Sequence, residues 1–169
     1  DQITDLMEQA NPTLAPYAKT GEVHLRITAR AVGEEQAEAL IRPVEEELYR
    51  RFGNRIFTNR EEVTLEEDLV KMLEKRHMTL TTAESCTAGL LAGRIMNVPG
   101  ASGVYREGYI TYSNEAKEKL LGVRHETLQA HGAVSPETAR EMAEGAAAHA
   151  EAQAALSVTG IAGPDGGTK

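Results

Sequence analysis

Cysteine occurs once in the 169 residues, at Cys86, tryptophan is absent, and aromatic side chains make up 4% of the chain. A single cysteine excludes an internal disulfide, which fits a reducing compartment. No apolar run reaches the length of a membrane span, and no secretory pattern opens the chain. A cytoplasmic protein with no membrane partner is therefore expected. Basic charge is also scarce: 18 Lys and Arg against 26 Asp and Glu give a formal charge of −8. Gripping nucleic acid by counterion release needs clustered cations, so a nucleic-acid partner is not expected. The five histidines show no metal-ligand spacing with one another or with Cys86, and neither a metal nor another cofactor is expected.

What is present is the composition of a folded protein, 41% hydrophobic and 26% charged, at a length that supports one or two small domains. The chain begins at Asp1 without methionine and stops just after a glycine-rich turn where a further strand is expected, so it reads as a piece of a longer protein.

In residues 1–10, Ile3, Leu6 and Met7 make an amphipathic segment that ends at the turn signal Asn11-Pro12. Residues 23–28 alternate apolar and polar, which predicts a half-buried strand. Over residues 34–52 apolar side chains recur every three or four positions, and Gly53-Asn54 closes this predicted helix. Pro43 should kink that helix or mark its true start. Residues 55–58 read as a short returning strand, which gives a β-α-β layer.

A second region opens on a capping box, Thr64 with Glu67, which starts a helix through Leu69, Val70 and Leu73 to His77. The β-prone run 78–83 leads to Ser85, and from Cys86 a helical spacing continues through Leu90, Leu91, Ile95 and Met96. Ser85 is thus expected where a strand becomes a helix, either as a simple cap or beside free N–H groups able to hold an oxyanion or a phosphate. A loop at 97–102 and a strand at 105–112 follow; Ser135-Pro136 starts a later helix, and 155–159 form a buried strand.

Three strands therefore run into polar or glycine-rich turns, and in open α/β sheets such carboxyl ends collect ligands. Residues 113–122 predict a two-turn helix with a glycine stop, on which Lys117 falls between Leu120 and Leu121 on the apolar side. A lysine there either snorkels to solvent or has its amine pKa lowered by burial and the helix dipole. In the second case it can serve as a general base toward a serine or a tyrosine, and Ser85, Tyr112 and Lys117 are the candidates to meet. Cys86 is a possible nucleophile by position but reads better as a small buried filler. Arg50, Arg51, Arg55 and Arg60 read as a solvated face beside Glu45-Glu46-Glu47.

Four segments resemble the carboxy-terminal domain of the CinA, or competence-damage-inducible, family. They are Thr82-Ala83-Glu84-Ser85-Cys86-Thr87-Ala88-Gly89, the run from Gly108-Tyr109-Ile110 through Tyr112 to Lys117, His131-Gly132-Ala133-Val134-Ser135, and Thr159-Gly160-Ile161-Ala162-Gly163-Pro164-Asp165-Gly166-Gly167. Residues 1–61 resemble the family's KH-like domain, without the Gly-x-x-Gly loop that would clamp RNA. The resemblance implies a small KH-like α+β domain followed, over residues 62–169, by a three-layer α/β/α domain with a mixed sheet. It implies a homodimeric nicotinamide-nucleotide amidase that converts nicotinamide mononucleotide (NMN) to nicotinate mononucleotide and ammonia in pyridine nucleotide salvage. Ser85, Tyr112 and Lys117 would be catalytic in it, and Glu84, Cys86, Thr87, Gly160, Ala162 and Gly163 substrate-binding. The alternative is a nucleotide-binding or assembly module without turnover. The large amino-terminal domain of full-length members, similar to molybdopterin-binding proteins and tied to ADP-ribose pyrophosphatase activity, has no counterpart in these residues.

Overall fold

The computed structural model describes residues 2–164 and 166. They fall into two compact units, divided between Asn59 and Arg60. Among the described residues no helix is long and apolar enough to cross a membrane.

In the first unit, α1 (Thr4–Met7) precedes an antiparallel pair, β1 (Thr13–Ala18) and β2 (Val23–Thr28), in register from Thr13↔Thr28 to Ala18↔Val23. α2 (Glu34–Phe52) runs unbroken through Pro43, so the proline is not its start. Leu6, Leu14, Val44 and Leu48 are the buried core, with Leu25, Ile27, Phe52 and Ile56 packed on them. Two expectations need correction. Residues 55–58 are not a strand: Gly53–Arg55 form a 3-10 turn, after which Ile56 drops back onto the core. The partner of β2 is instead β1, whose alternation Pro16 interrupts; proline is tolerated there because an edge strand can forgo one donor. Arg51 pairs with Asp5 and Glu47 at 2.6 and 2.7 Å, and Arg50 pairs with Glu47 at 2.6 Å. Arg51 therefore ties α1 to α2, while the Arg50 pair stays within α2.

The second unit begins with α3 (Leu65–Arg76), where the Thr64–Glu67 capping box closes in both directions. His77 ends α3 in a left-handed conformation at φ 54°. Then follow β3 (Leu80–Glu84), α4 (Leu90–Met96), β4 (Tyr105–Ile110), α5 (Asn114–Leu121), α6 (His125–His131), α7 (Pro136–Ala150) and β5 (Ala154–Val158). The sheet has the order β4-β3-β5, and β3 pairs with both neighbours in parallel. A mixed sheet is the expectation from sequence; the three strands among the described residues all run one way. This follows from the helical crossovers that join them, since parallel neighbours need such connections.

The central strand is buried along its whole length, and its polar groups are satisfied. Thr81 Oγ1 donates to the Glu107 carbonyl at 2.9 Å, and the Thr82 and Tyr105 hydroxyls share a bond of 2.6 Å. Val70, Leu73, Leu80, Ile95 and Val104 form a core between one face of the sheet and α3 and α4. Ala83, Leu121, Val123, Leu128, Met142 and Ala146 form another against α5, α6 and α7. Helix, sheet and helix are the three layers expected. The short α6 is absent from the sequence reading because seven residues span too few turns for a periodic signal.

Ser135 Oγ caps α7 through the Thr138 N–H, with Pro136 in the first turn. The helix lies so close to α5 that a Cβ added at Gly145 would stand 1.9 Å from the Leu121 carbonyl oxygen. Because the obstacle is backbone, Gly145→Ala is expected to lower stability by about 1–3 kcal/mol, read from the shift of the urea midpoint. On the same helix Glu141 is buried and accepts from the Arg124 N–H and Nε, both at 2.9 Å, and from Thr127 Oγ1 at 2.8 Å. The Arg124 side chain, then its backbone N–H, hold the Glu141 carboxyl at about 2 against an ordinary 4.5. A carboxyl with a depressed pKa contributes stability above its unfolded value and loses it as pH falls toward the folded one. Urea midpoints of Glu141→Gln should therefore vary less with pH than those of the parent between 4.5 and about 2.

Candidate active site

Parallel pairing brings the carboxyl ends of all three strands to one edge of the sheet, and Ser85 is the first residue past the central one. It is stitched to both neighbours: Ser85 N–H donates to the Val158 carbonyl at 2.9 Å, and Thr111 N–H to the Glu84 carbonyl at 2.8 Å. The turn after β5 comes close as well, since a Cβ at Gly160 would stand 3.1 Å from Cys86 Sγ.

The helix expected from Cys86 does not begin there. Residues 85–89 form a turn, and α4 starts only at Leu90. Within it Ala88 N–H donates to the Ser85 carbonyl at 3.2 Å and Leu90 N–H to that of Thr87 at 3.0 Å. Ala88 sits at φ 51° and Gly89 at φ 96°. The Ala88 value is unfavourable for a residue with a Cβ, so the turn holds local strain.

Ser85 is buried, and Lys117 from α5 is 1% exposed. Lys117 Nζ lies 3.0 Å from Ser85 Oγ, 2.8 Å from the Thr111 carbonyl oxygen and 3.1 Å from the Tyr112 carbonyl oxygen. Snorkelling is thereby excluded. The α5 register is set by Ser113, whose Oγ accepts from the Ala116 N–H, and by Gly122, which ends the helix in a left-handed conformation. Burial pushes the Lys117 amine below its ordinary 10.5, and a smaller effect of the nearby Cys86 thiol opposes the shift. A neutral lysine has two N–H donors and one lone pair. With both donors on the carbonyls of Thr111 and Tyr112, the lone pair faces the Ser85 hydroxyl. Charged, the same nitrogen gives its third proton to Ser85 Oγ, so proton exchange between the two needs no rearrangement.

Tyr112 is placed differently from expectation. The residue is 73% exposed, and among the described hydrogen bonds only its main-chain carbonyl reaches Lys117. Glu84 also departs from the substrate-binding role, being 0% exposed with its carboxylate spent on the turn. Glu84 Oε2 accepts from the N–H groups of Gly89 and Leu91, both at 3.0 Å, and Oε1 from Ala92 at 2.8 Å. Burial pushes this carboxyl up, but Thr87 and those three N–H groups outweigh it and the net direction is down. No described hydrogen bond takes the N–H of Cys86 or Thr87. Thr87 Oγ1 is buried and lies near enough to Glu84 to lower its pKa, but among the described residues it meets no partner in full hydrogen-bond geometry. Cys86, Thr87 and Gly160 are half-buried, while Ala162 and Gly163 are exposed on the turn after β5; Asp165 and Gly167 lie outside the described residues. Among the described residues no three His, Cys, Asp or Glu side chains gather as metal ligands.

The CinA C-terminal domain matches residues 62–169, and the damage-inducible protein CinA KH domain matches residues 1–58. The chain belongs to the CinA family. A CinA-like protein of Kosmotoga olearia is 55% identical over 169 residues, covering 99% of this chain and 41% of the relative. A relative named for competence-damage induction in Clostridium novyi (strain NT) is 57% identical over 168 residues, 99% of this chain and 40% of its own. The chain thus spans about two fifths of the length of these curated CinA relatives. Among solved structures, the competence damage-inducible protein A (ComA) from Klebsiella pneumoniae is 44% identical with a TM-score of 0.60, covering 61% of this chain and 64% of that one. The competence/damage inducible protein CihA from Agrobacterium tumefaciens is also 44% identical, with a TM-score of 0.57 and coverages of 62% and 63%.

In this CinA-family chain the Thr111 carbonyl escaped the sequence reading, because a backbone acceptor leaves no residue-type signature. The ordinary lysine value is 10.5, and burial should make the Lys117 amine lose its proton at a lower pH. Following the Lys117 13Cε resonance through an alkaline titration checks this; a midpoint at or above the ordinary value contradicts it.

Proposed function

We propose that this chain carries the amidase centre of a CinA-family protein, hydrolysing the carboxamide of NMN to nicotinate mononucleotide and ammonia. The observation that carries this reading is the buried Lys117 Nζ at 3.0 Å from Ser85 Oγ, at the carboxyl end of the central strand. A serine is a weak nucleophile unless a base takes its proton, and a desolvated amine with its lone pair on the hydroxyl is such a base.

In the first step Ser85 Oγ bonds to the carboxamide carbon while its proton passes to Lys117 Nζ. The tetrahedral oxyanion meets the unclaimed N–H groups of Cys86 and Thr87, which stabilise charge only as it develops. Lys117 then gives the proton to the departing nitrogen, ammonia leaves, and an acyl-serine remains. Water attacks the acyl carbon with Lys117 taking its proton, and the carboxylate is released as Ser85 regains its hydrogen. Tyr112 fixes the lysine through its carbonyl, and its exposed ring is available to cover the pyridinium face of NMN.

Ammonia release from NMN by the 169-residue chain tests the reading. Ser85→Ala and Lys117→Ala should each remove activity, the lysine change by about 10²–10⁴-fold, and Tyr112→Phe should stay within about 10-fold of the parent. The double variant should be no worse than the more damaging single, because the two act as a unit. Since the neutral amine is the reactive form and burial lowers its pKa, kcat/KM should fall as pH drops through the lowered Lys117 value. Unchanged turnover in Ser85→Ala refutes the mechanism.

A further inference from the structure

Glu84 is a fully buried carboxylate that the proposed chemistry leaves unused. No cationic side chain pairs with it among the described residues. All of its hydrogen bonds to the backbone go forward in sequence, to Gly89, Leu91 and Ala92. Those contacts span the segment from the end of β3 to the first turn of α4, and they enclose the left-handed Ala88 and Gly89. A strained backbone conformation persists only where its surroundings hold it from several directions. Here one carboxylate supplies three of those constraints.

The bonds also decide which donors remain. The N–H groups of Ala88 and Leu90 are taken within the turn, and those of Gly89, Leu91 and Ala92 by the carboxylate. Among the described residues only Cys86 and Thr87, directly after the serine, keep theirs. Without the clasp, the relaxing turn would move Ser85 Oγ from Lys117 Nζ and offer water or substrate a different set of N–H groups.

We propose that Glu84 is a positioning residue whose carboxylate clasps the N–H groups of Gly89, Leu91 and Ala92 and so fixes the strained turn that presents Ser85 to Lys117. Its catalytic consequence rests on the amidase reading; the clasp itself does not. Glu84 touches neither substrate nor the reacting atoms, so its removal acts on kcat rather than on substrate affinity.

The test compares the full chain with Glu84→Gln, which keeps the side-chain volume, and Glu84→Asp, which keeps the charge one methylene short. Amide hydrogen exchange at Gly89, Leu91 and Ala92 should accelerate at least about 10-fold in Glu84→Gln, while the amides of Thr82 and Ala83 in β3 keep their protection. Cys86 is the sole thiol and lies in the turn, so its rate of labelling by a maleimide should rise with them. With NMN, kcat should fall by about 10²-fold with KM within about 2-fold, and Glu84→Asp should recover part of the loss. Unchanged exchange and labelling in either folded variant overturns the proposal. So does a raised KM with kcat held, which would make Glu84 a substrate contact, or a lower melting temperature with kcat unchanged. If the parent releases no ammonia the amidase reading fails, and exchange and labelling still decide the clasp.

Discussion

An ammonium held in the interior by two carbonyl oxygens and a hydroxyl is the interaction on which the second unit turns. A buried cation is tolerated only when its donors are met, and Lys117 has three N–H groups for three acceptors. Those acceptors come from two different strand ends, β3 through Ser85 and β4 through Thr111 and Tyr112, while the lysine comes from α5. None of the three elements can shift alone without leaving part of the nitrogen unsatisfied. The cluster is therefore a structural lock built around a buried nitrogen whose pKa burial lowers.

The layering makes that lock possible. Parallel order collects the three strand ends at one edge, and the cores on the two faces of the sheet fix the helices that reach it. Close approach on the α7 side depends on small residues: Ala83 and Ala146 are completely buried, and Gly145 leaves room for the Leu121 carbonyl. Thr159 Oγ1 and Ser157 Oγ add bonds of 2.7 and 2.6 Å to the carbonyls of Ala133 and Ala139. These bind β5 to the start of α7, so the glycine-rich turn after β5 leaves the sheet from a fixed point.

Much of this was legible before any coordinates. The placement of Lys117 on the apolar side of a two-turn helix follows from periodicity and a glycine stop, and its nitrogen does reach Ser85, the residue singled out at the end of β3. Caps were legible too, because Thr64 with Glu67 and Ser135 with Pro136 act through neighbours in sequence. The failures share one physical cause, which is that local pattern does not report which distant group claims a backbone donor. Leu91 and Ile95 do lie on the buried side of a helix while Leu90 is exposed, and Glu84 and the left-handed Ala88 delay the helix to Leu90. Tyr112 was expected to be catalytic, and in the structure it is its main-chain carbonyl that accepts from Lys117 Nζ, a contact set by how the strand leaves the sheet. Residues 55–58 carry strand-forming side chains, but Ile56 packs against the Leu6, Leu14, Val44 and Leu48 core without joining the two-stranded sheet, and local pattern does not distinguish these two ways of burying an apolar side chain.

Adjacent residues at the end of β3 turn to opposite faces, as strand geometry requires, and each faces a different solution to burying charge. Glu84 points toward α4 and is held by backbone N–H groups; Ser85 points toward α5 and meets an ammonium held by backbone carbonyls. The two buried charges are thus satisfied by peptide dipoles and not by each other. Had the lysine been paired with a carboxylate, the partner would have raised its pKa and kept its proton on. Carbonyl dipoles meet the donors while leaving desolvation dominant, and the amine is pushed down. Satisfying the Lys117 donors without a counterion makes its proton easier to lose, and only the deprotonated amine has a lone pair to turn to the Ser85 hydroxyl.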